Sequence, residues 1–446
     1  MPTFDQLGLP APIVSVLNRQ GITEPFPIQA AAIPDILAGK DVLGRGPTGS
    51  GKTFTFGLPM LSLLVGAPSR PGKPRGLILA PTRELAAQIR QRLDDPAAAL
   101  GMRVLEVVGG VNINNHIRSL ASPVDLLVAT PGRAQDLINQ GKLDFSAVEI
   151  TAIDEADQMA DMGFLPQVRK LLSATPKRGQ RLLFSATLDG DVDKLVQQFM
   201  HYPVTHSTAP VQAAVDSMEH YHLLVGTREA RNDIVPFIAA REGKTVMFMR
   251  TKHGVDRQVK KLRRVGINAH PLHGDKGQGA RTRAIEGFAD GFIPVLVATD
   301  IAARGIDISD VSLVVHIDPP AEHKAYLHRA GRTARAGTSG TVVTLVMDDQ
   351  RKEVDQLLRK AGVDATKVEV RAGDAELAKI TGARKPTGNP LPPPGQPAKA
   401  GQSSSSNHRS ARGNNRRRGG NQPHRSGARR QKRSSGRGKR GTNRSS

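Results

Sequence analysis

Short apolar runs, separated by stretches of helical periodicity, recur along residues 1–370 of this sequence. They fall at residues 77–80, 125–129, 148–153 and 181–184, and again at 246–249, 294–298, 311–317 and 342–346. Strands that are apolar on both faces are typical of parallel sheets covered by helices on both sides. Helical stretches between such strands indicate βαβ units. The pattern therefore predicts an α/β protein built on parallel sheets, which bind ligands at the carboxyl ends of their strands.

The runs form two groups, which predict two domains followed by a tail. We expect the first domain at residues 1–205, a linker without strong periodicity at 206–216 and the second domain at 217–370. After Lys385 the composition turns to Pro, Gly, Ser, Asn and Arg, and the segment 386–397, with six Pro, is expected to be extended. We predict that the tail, residues 371–446, is disordered because it cannot bury enough apolar surface to offset its chain entropy.

Positive charge is concentrated in this tail. The chain has 63 Lys and Arg against 41 Asp and Glu, a formal net charge of +22. Residues 384–446 hold 17 of the Lys and Arg and no acid, which leaves 46 basic and 41 acidic residues in the rest of the chain. The excess predicts a polyanionic partner, and the tail contributes most of that signal.

The composition also excludes several classes of protein. The chain has no Cys, which rules out a disulfide framework and a thiolate zinc site. Residues 1–10 lack the basic start and apolar run of a signal peptide. No uncharged stretch approaches the roughly 20 apolar residues that a membrane span needs. We therefore expect a soluble, cytoplasmic protein without membrane association.

A glycine-rich segment after the apolar step at residues 42–43 predicts a site for nucleotide phosphates. Its residues fit the pattern G-x-x-x-x-G-K-[ST]: Gly46, Pro47, Thr48, Gly49, Ser50, Gly51, Lys52 and Thr53. Glycines let backbone N–H groups approach the phosphates, Lys52 adds a positive charge and the Thr53 hydroxyl is a candidate ligand for Mg²⁺. The helix expected to follow directs its N-terminus at the same anion.

Acidic residues follow the apolar run that ends at Ile153. Asp154 is a candidate magnesium ligand, acting through water, and Glu155 is a candidate to orient and deprotonate an attacking water. Together with the phosphate loop, these two carboxylates predict Mg²⁺-dependent hydrolysis of a nucleoside triphosphate.

These and further motifs resemble the DEAD-box ATP-dependent RNA helicases, in the order of that family, over residues 4–346. The motifs of the first domain, besides the phosphate loop and D-E-A-D at 154–157, are P-T-R-E-L-A at 81–86, G-G at 109–110, T-P-G-R at 130–133 and S-A-T at 185–187. Those of the second are residues 248–252, H-G-D at 273–275, Gln278 with Arg281, residues 298–307 and H-R-A-G-R-T-A-R at 328–335. The resemblance implies two tandem RecA-like lobes, each with a parallel sheet.

The resemblance also covers the amino-terminal segment that reads adenine in the family, with Phe4 and Gln29 as candidate ATP contacts. A Gln amide donates to adenine N7 and accepts from its N6–H, which GTP would not satisfy, so ATP is favoured. Ile22 stands where the family usually has an aromatic residue, and Phe26 where it usually has Thr. We therefore expect stacking on the base to be weaker or differently arranged.

The remaining site residues are implied by the resemblance. Lys52, Asp154 and Glu155 would be catalytic in the first lobe, and Arg332 and Arg335 of the second lobe would act as arginine fingers on the γ-phosphate. Asp307 would contact the ribose, and Ser185 and Thr187 would couple the ATP state to RNA. The implied contacts to RNA phosphate and sugar, which are independent of base sequence, are Arg83, Gly110, Thr130, Gly132, Arg133, Gly274 and Thr299.

Alternatives to an RNA helicase stay open at this stage. One is a DNA-directed translocase of a related family, and another is an RNA-stimulated ATPase that acts only as a clamp. The tail has two interpretations as well. It is either an electrostatic RNA tether, since residues 409–444 have Arg-Gly elements but no aromatic residue for stacking, or a solubilising extension. Protein partners are not predicted.

Overall fold

The computed structural model describes residues 2–46, 50–187, 190–207, 218–303, 311–333 and 340–394. These residues form two lobes, lobe 1 before residue 208 and lobe 2 after residue 217. Each lobe is built on one seven-stranded sheet, and all neighbouring strands in both sheets are parallel. The predicted α/β class with two parallel sheets is confirmed.

Lobe 1 alternates strands and helices along the chain. Its elements are α1 (Ala11–Arg19), α2 (Pro27–Leu37), β1 (Val42–Arg45), α3 (Lys52–Leu63), β2 (Gly76–Leu79), α4 (Arg83–Ala99), β3 (Val104–Val107), α5 (Ile113–Leu120), β4 (Leu126–Ala129), α6 (Pro131–Asn139), β5 (Ile150–Ile153), α7 (Ala156–Asp161), α8 (Leu165–Ser173), β6 (Gln180–Ser185), α9 (Gly190–Phe199) and β7 (Val204–Ser207). The strand order across the sheet is β3-β4-β2-β5-β6-β1-β7.

Lobe 2 repeats this plan. Its elements are β8 (Met218–Gly226), α10 (Arg228–Ala239), β9 (Lys244–Phe248), α11 (Lys252–Arg264), β10 (Ala269–Leu272), α12 (Gln278–Ala289), β11 (Val295–Ala298), α13 (Asp300–Ala303), β12 (Val311–His316), α14 (His323–Ala330), β13 (Gly340–Met347), a 3₁₀ turn (Asp348–Gln350), α15 (Arg351–Ala361), β14 (Thr366–Glu369) and α16 (Ala375–Thr381). The strand order is β10-β11-β9-β12-β13-β8-β14.

Both faces of each sheet are buried. Successive residues of a strand point to opposite faces, and in β2 Ile78 enters one hydrophobic core while Leu77 and Leu79 enter another. In β9, Met247 and Phe248 likewise enter different cores. Because the faces are covered, the strand ends remain as the place for polar functional groups. No helix among the described residues has both the length and the apolar character needed to cross a membrane.

Lobe 2 extends past its predicted end at residue 370. Residues 371–446 were predicted to be a disordered tail, but α16 forms within this range and buries Leu377 completely. Further on, the backbone N–H groups of Gly388 and Leu391 donate to the carbonyls of Val265 and Arg263. The prediction was wrong for residues 371–394 because one buried leucine and a few backbone hydrogen bonds leave little pattern in the sequence. Residues 395–446 lie outside the described residues.

Lobe 1 also ends later than predicted. The linker was expected at residues 206–216, but His206 and Ser207 belong to β7, which pairs with β1. The rest of the predicted linker, residues 208–216, lies outside the described residues.

Candidate functional site

The predicted phosphate loop joins β1 to α3. Pro47, Thr48 and Gly49 lie outside the described residues, but Gly51 caps α3 with a left-handed φ of 86°. Lys52, the first residue of the helix, is buried, and its Nζ donates to the carbonyl of Gly46 at 3.0 Å. The ammonium group is therefore held across the loop at a helix N-terminus, where an anion is stabilised.

Gln29 attaches the amino-terminal segment to this loop. Its Oε1 accepts a hydrogen bond from the N–H of Phe26 at 2.8 Å, and its Nε2 donates to the carbonyl of Gly51 at 3.0 Å. A Cβ at Gly51 would lie 2.7 Å from Gln29 Nε2 and 2.7 Å from Phe26 Cδ2. Only glycine permits this close approach, so the segment predicted to read adenine does lie against the phosphate loop.

The aromatic residues of this segment are arranged differently from the expectation. Phe4, predicted as an ATP contact, is 1% exposed within the core of lobe 1, so its ring packs against protein and is closed to a nucleotide. Ile22 packs at the margin of the same core. Phe26, in contrast, is 47% exposed and lies beside Gly51. The ring available for stacking on a base is therefore that of Phe26.

Asp154 follows β5 and is almost completely buried. Burial raises the pKa of its carboxyl from the usual 3.8 to about 7, against the opposing charge of Lys52. A carboxylate this costly to ionise is suited to a bound cation. Mg²⁺ takes one or two carboxylates and completes its shell with water and phosphate oxygens, so the pair of Asp154 and the Thr53 hydroxyl, itself buried, fits this ion.

Glu155 occupies the turn between β5 and α7. Its φ of 51° is left-handed, which is unfavourable for a residue with a side chain and is held here by surrounding contacts. Its N–H donates to Asp154 Oδ1 at 3.0 Å. The strand, the turn and this hydrogen bond together hold the Asp154 carboxylate against the backbone of Glu155.

Asp157 connects the acidic motif to the residues predicted to couple ATP to RNA. Its Oδ2 accepts from the N–H groups of Ala186 at 3.2 Å and Thr187 at 3.1 Å, and its own N–H donates to Ser185 Oγ at 3.2 Å. Ser185 Oγ donates in turn to the Thr187 carbonyl at 2.6 Å. The Gly46 N–H donates to the Ser185 carbonyl at 3.2 Å, which brings the phosphate loop into the same network.

Lobe 2 carries one predicted arginine finger, Arg332, just after α14. Arg329, within that helix, forms a two-pronged ion pair with Asp300 at 2.5 and 2.8 Å and also donates to the Asp318 carbonyl. Arg332 follows the helix and is 4% exposed, with its Nε 3.4 Å from the His328 carbonyl. Asp307 and Arg335 lie outside the described residues. The structure therefore shows how α14 is anchored, with Arg332 buried in the lobe.

The residues predicted to bind RNA in lobe 1 follow β2, β3 and β4, which are neighbours in the sheet. Arg83 begins α4, and its guanidinium fills the space beside Gly110, where a Cβ would lie 1.7 Å from its Nη1. The Thr130 hydroxyl accepts from the Gly109 N–H at 3.3 Å. Gly132 has open space around it. Arg83, Gly110, Thr130 and Gly132 are thus brought together at one edge of the sheet.

Arg133, predicted as an RNA contact, is hydrogen-bonded within lobe 1. Its guanidinium donates to His116 Nδ1 at 2.8 Å and to the Val111 carbonyl at 2.9 Å. Burial, and then the charge of Arg133, lowers the pKa of His116 to about 4, so the imidazole is neutral near pH 7 and accepts this hydrogen bond. Arg133 thereby orders the segment after β3, which carries Gly110.

Lobe 2 shows the same arrangement. Gly274 follows β10 and Thr299 follows β11, and these strands are neighbours at one side of the sheet. Lys252, after β9, lies close to Gly274 and forms an ion pair with Asp275 at 2.6 Å.

A buried ion pair joins the two lobes on this RNA side. Glu84 Oε1 accepts from Arg281 Nε at 2.8 Å and from Gln278 Nε2 at 3.1 Å. Glu84 follows Arg83 in the chain, and both charged partners are less than one-tenth exposed. The candidate RNA surface of lobe 1 is thereby fixed to α12 of lobe 2.

Three functional positions were not assigned from the sequence. Asp157, Glu84 and Asp300 lie within recognised motifs, but their partners are distant in the chain, 28 to 30 residues away for Asp157 and 197 for Glu84 and Arg281. The positive charge of Arg281 and the amide donor of Gln278 were the available signal, and they do not identify the acidic partner.

Family comparisons agree with this geometry. The model of the DEAD/DEAH box helicase family matches residues 26–195, and that of the helicase conserved C-terminal domain matches residues 229–337. Together these matches cover the phosphate loop, the acidic motif and the Gln278 to Arg332 region.

Curated relatives align with most of the chain. It is 40% identical over 348 residues to ATP-dependent RNA helicase SrmB of Escherichia coli, covering 77% of this chain and 78% of the relative. It is 37% identical over 358 residues to DEAD-box ATP-dependent RNA helicase CshA of Geobacillus kaustophilus, covering 80% and 75%. It spans about half the length of a maize relative, DEAD-box ATP-dependent RNA helicase 3B, chloroplastic, with 40% identity and 49% of that protein covered.

Solved structures share the fold. Saccharomyces cerevisiae Dbp5 bound to RNA and ADP BeF3 superposes with a TM-score of 0.76 at 27% identity, covering 86% of this chain and 99% of that one. Mss116p bound to ssRNA and AMP-PNP superposes with a TM-score of 0.72 at 25% identity, covering 85% and 82%.

The raised pKa of Asp154 predicts a pH dependence of stability. The folded value of about 7 exceeds the usual 3.8, so the folded protein holds a proton that the unfolded chain has lost, and stability falls as pH rises from about 4 to 7. Asp154→Asn cannot ionise and should escape this loss, with a gain on the order of 1–4 kcal/mol above pH 7 that vanishes near pH 4. Urea unfolding of the nucleotide-free, Mg²⁺-free protein across this range measures it.

The matched control is Asp233→Asn, which changes an exposed carboxyl in α10. It should leave the pH profile of stability unchanged. A gain for Asp154→Asn that is equal at pH 4 and pH 8, or a loss at pH 8, would contradict the assignment of a costly buried charge to this carboxylate.

Proposed function

The chain belongs to the DEAD-box family of ATP-dependent RNA helicases, and we propose that it couples ATP hydrolysis to local unwinding of RNA duplexes or remodelling of RNA–protein complexes. The proposal rests on one observation: the candidate ATP residues and the candidate RNA residues follow different strands of the sheet. In lobe 1 the candidate ATP residues follow β1, β5 and β6, while the candidate RNA residues follow β2, β3 and β4. A cytoplasmic location is part of the same proposal.

Lobe 1 would bind the triphosphate and prepare the attacking water. Lys52 and the N-terminus of α3 hold the phosphates, and Glu155 orients the water and accepts its proton. Mg²⁺, held by the Thr53 hydroxyl and the Asp154 carboxylate, would neutralise charge on the phosphate oxygens when bound. The left-handed turn at Glu155 supports this role because a strained backbone conformation is kept at the residue that directly follows Asp154.

The network around Asp157 would transmit the state of the nucleotide. It links the turn after β5 to Ser185 and Thr187 after β6, and Ser185 is hydrogen-bonded to Gly46 of the phosphate loop. A shift of the loop on binding or release of the γ-phosphate therefore changes hydrogen bonds at the end of β6. Each N–H in this buried network needs its partner, which makes an intermediate arrangement costly.

Lobe 2 would complete both sites on closure. Arg332 and Arg335 would reach the γ-phosphate, because guanidinium is always charged and forks onto phosphate oxygens. Asp307 would contact the ribose. The ion pair of Arg329 with Asp300 supports this role, since it fixes the helix that directly precedes Arg332.

RNA would lie across the RNA side of both lobes. Its candidate contacts are Arg83, Gly110, Thr130, Gly132, Gly274 and Thr299, and Arg133 would order the segment that carries Gly110. These groups suit phosphate and sugar, so binding would be independent of base sequence. If ATP and RNA both favour closure, each tightens the binding of the other. Closure on one strand would expel its complement locally, and hydrolysis would reopen the lobes.

Phe26 would stack on adenine while Gln29 reads its edge. The exposed ring lies beside Gly51 and its backbone N–H is bonded to the Gln29 amide. Stacking of a base on an aromatic ring is worth about 1–3 kcal/mol. The ring of Phe26 would thus take the place of the aromatic ring that is absent at position 22, where the chain has Ile22.

Steady-state ATPase activity with no nucleic acid, with RNA and with DNA of the same sequence tests the proposed function. We expect RNA alone to stimulate the wild type, and Glu155→Gln to lower kcat by about 10²–10⁴-fold because a general base is lost. RNA binding by Glu155→Gln should persist. Equal stimulation by DNA would favour a translocase, and stimulation without strand separation in an unwinding assay would favour an RNA clamp.

Phe26→Ala should raise KM for ATP about tenfold, as expected for the loss of one stacked base, with a smaller effect on kcat. Phe292→Ala is the matched control, because Phe292 is also an exposed phenylalanine, 79% exposed in lobe 2. ATPase titrations at saturating RNA measure both. An unchanged KM in Phe26→Ala would show that this ring does not contact the base.

A further inference from the structure

A groove of about 620 Å³ runs along the outer edge of lobe 2. Its floor is β10, the last strand on this side of the sheet, which contributes His270 and Pro271. Helices α11 and α12 pack on opposite faces of the sheet and flank the groove. Residues 391–394, the last that the structure describes, supply Leu391, Pro393 and Pro394 to its wall.

The rim of the groove is positively charged. Lys260 and Arg264 of α11 are exposed, and neither has a hydrogen-bond or ion-pair partner in the part of the chain that the structure describes. Lys276 on the opposite rim forms an ion pair with Asp256 at 2.7 Å. Burial, and then the charge of Arg263, lowers the pKa of His270 to about 4, so this side chain is neutral near pH 7. The uncompensated cations are suited to an anionic ligand.

The edge of β10 is closed to a peptide strand. Pro271 has no N–H to donate, the Ala269 carbonyl accepts from the Arg263 guanidinium at 3.3 Å and the Ala269 N–H donates to the Ile267 carbonyl at 2.8 Å. Strand addition depends on free backbone groups along an edge. A ligand of this groove is therefore recognised through side-chain cations, which favours phosphate groups.

The groove is continuous with the RNA side of lobe 2. β10 ends at Leu272, the candidate RNA contact Gly274 follows, and Lys276 of the same loop lines the groove. Helix α11 starts at Lys252, beside Gly274, and extends about 20 Å to Arg264 at the far end of the groove. A strand that passes Gly274 can thus follow α11 away from the cleft.

We propose that this groove binds the sugar–phosphate backbone of RNA where the strand leaves the inter-lobe site over lobe 2, with Lys260 and Arg264 on its phosphates. The proposal rests on the proposed function, because it requires RNA at Gly274. The chain that follows supports it: residues 395–446 continue directly from the groove wall and hold 15 Lys or Arg and no acid.

RNA binding by the full-length protein with AMP-PNP, followed by anisotropy of labelled oligouridylates of about 6 and about 20 nucleotides, tests the groove. Lys260→Gln combined with Arg264→Gln should weaken binding of the long oligomer about tenfold and that of the short one less than about twofold. The logarithm of the association constant for the long oligomer decreases as the logarithm of the salt concentration rises. The steepness of this decrease should become smaller by about 1.4, since each lost contact to a single strand contributes about 0.7.

The matched control combines Lys352→Gln with Lys360→Gln, which removes the same charge from exposed positions of α15. It should leave both affinities unchanged. Equal losses for the short and long oligomers, a similar loss in the control, or no loss at all would overturn the groove as an RNA path. If wild-type protein with AMP-PNP binds neither oligomer, the proposed function itself is contradicted. A loss that is equal for both lengths contradicts only the groove.

Discussion

Backbone hydrogen bonding in two parallel sheets, each covered by helices on both faces, confines the chemistry of this protein to the carboxyl ends of its strands. The strand order then decides which loops are neighbours. In lobe 1, β3-β4-β2 carry the candidate RNA contacts and β5-β6-β1 carry the nucleotide residues, so two ligands share one sheet edge without sharing residues. Lobe 2 repeats this division, with Gly274 and Thr299 on one side and α14 on the other.

Two sets of polar contacts connect the nucleotide residues, the coupling residues and the candidate RNA residues. Within lobe 1, Asp157 holds the end of β6 to the turn after β5, so the nucleotide loop and the coupling residues cannot move independently. Between the lobes, Glu84 pairs with Arg281 next to Arg83. Both partners are buried, and removing one of them would destabilise the joined lobes because it leaves the other charge buried and unpaired. This pair therefore favours a discrete joined arrangement of the lobes.

The sequence predicted the fold where burial leaves a pattern. Eight strands with apolar runs, among them β2, β5, β9 and β12, are confirmed. The edge strands β10 (A-H-P-L) and β14 (T-K-V-E) were missed because neither contains a run of apolar residues. In β10 Ala269 and Leu272 are buried, while β14 is held mainly by its backbone pairing with β8. At the site, local motifs predicted Lys52 and Asp154. The partners of Asp157 and Glu84 could not be predicted, since they depend on the tertiary pairing of distant segments.

In this mechanism ATP and RNA each favour the joined lobes, and reciprocal binding measurements test that claim. The dissociation constant of RNA is measured with and without AMP-PNP, and that of a fluorescent ATP analogue with and without RNA. We expect each ligand to tighten the binding of the other by the same factor, about 10 to 100. That factor should fall towards one in Arg281→Ala but not in Arg283→Ala, an exposed neighbour on α12. A factor of one in the wild type, or an unchanged factor in Arg281→Ala, would contradict the claim.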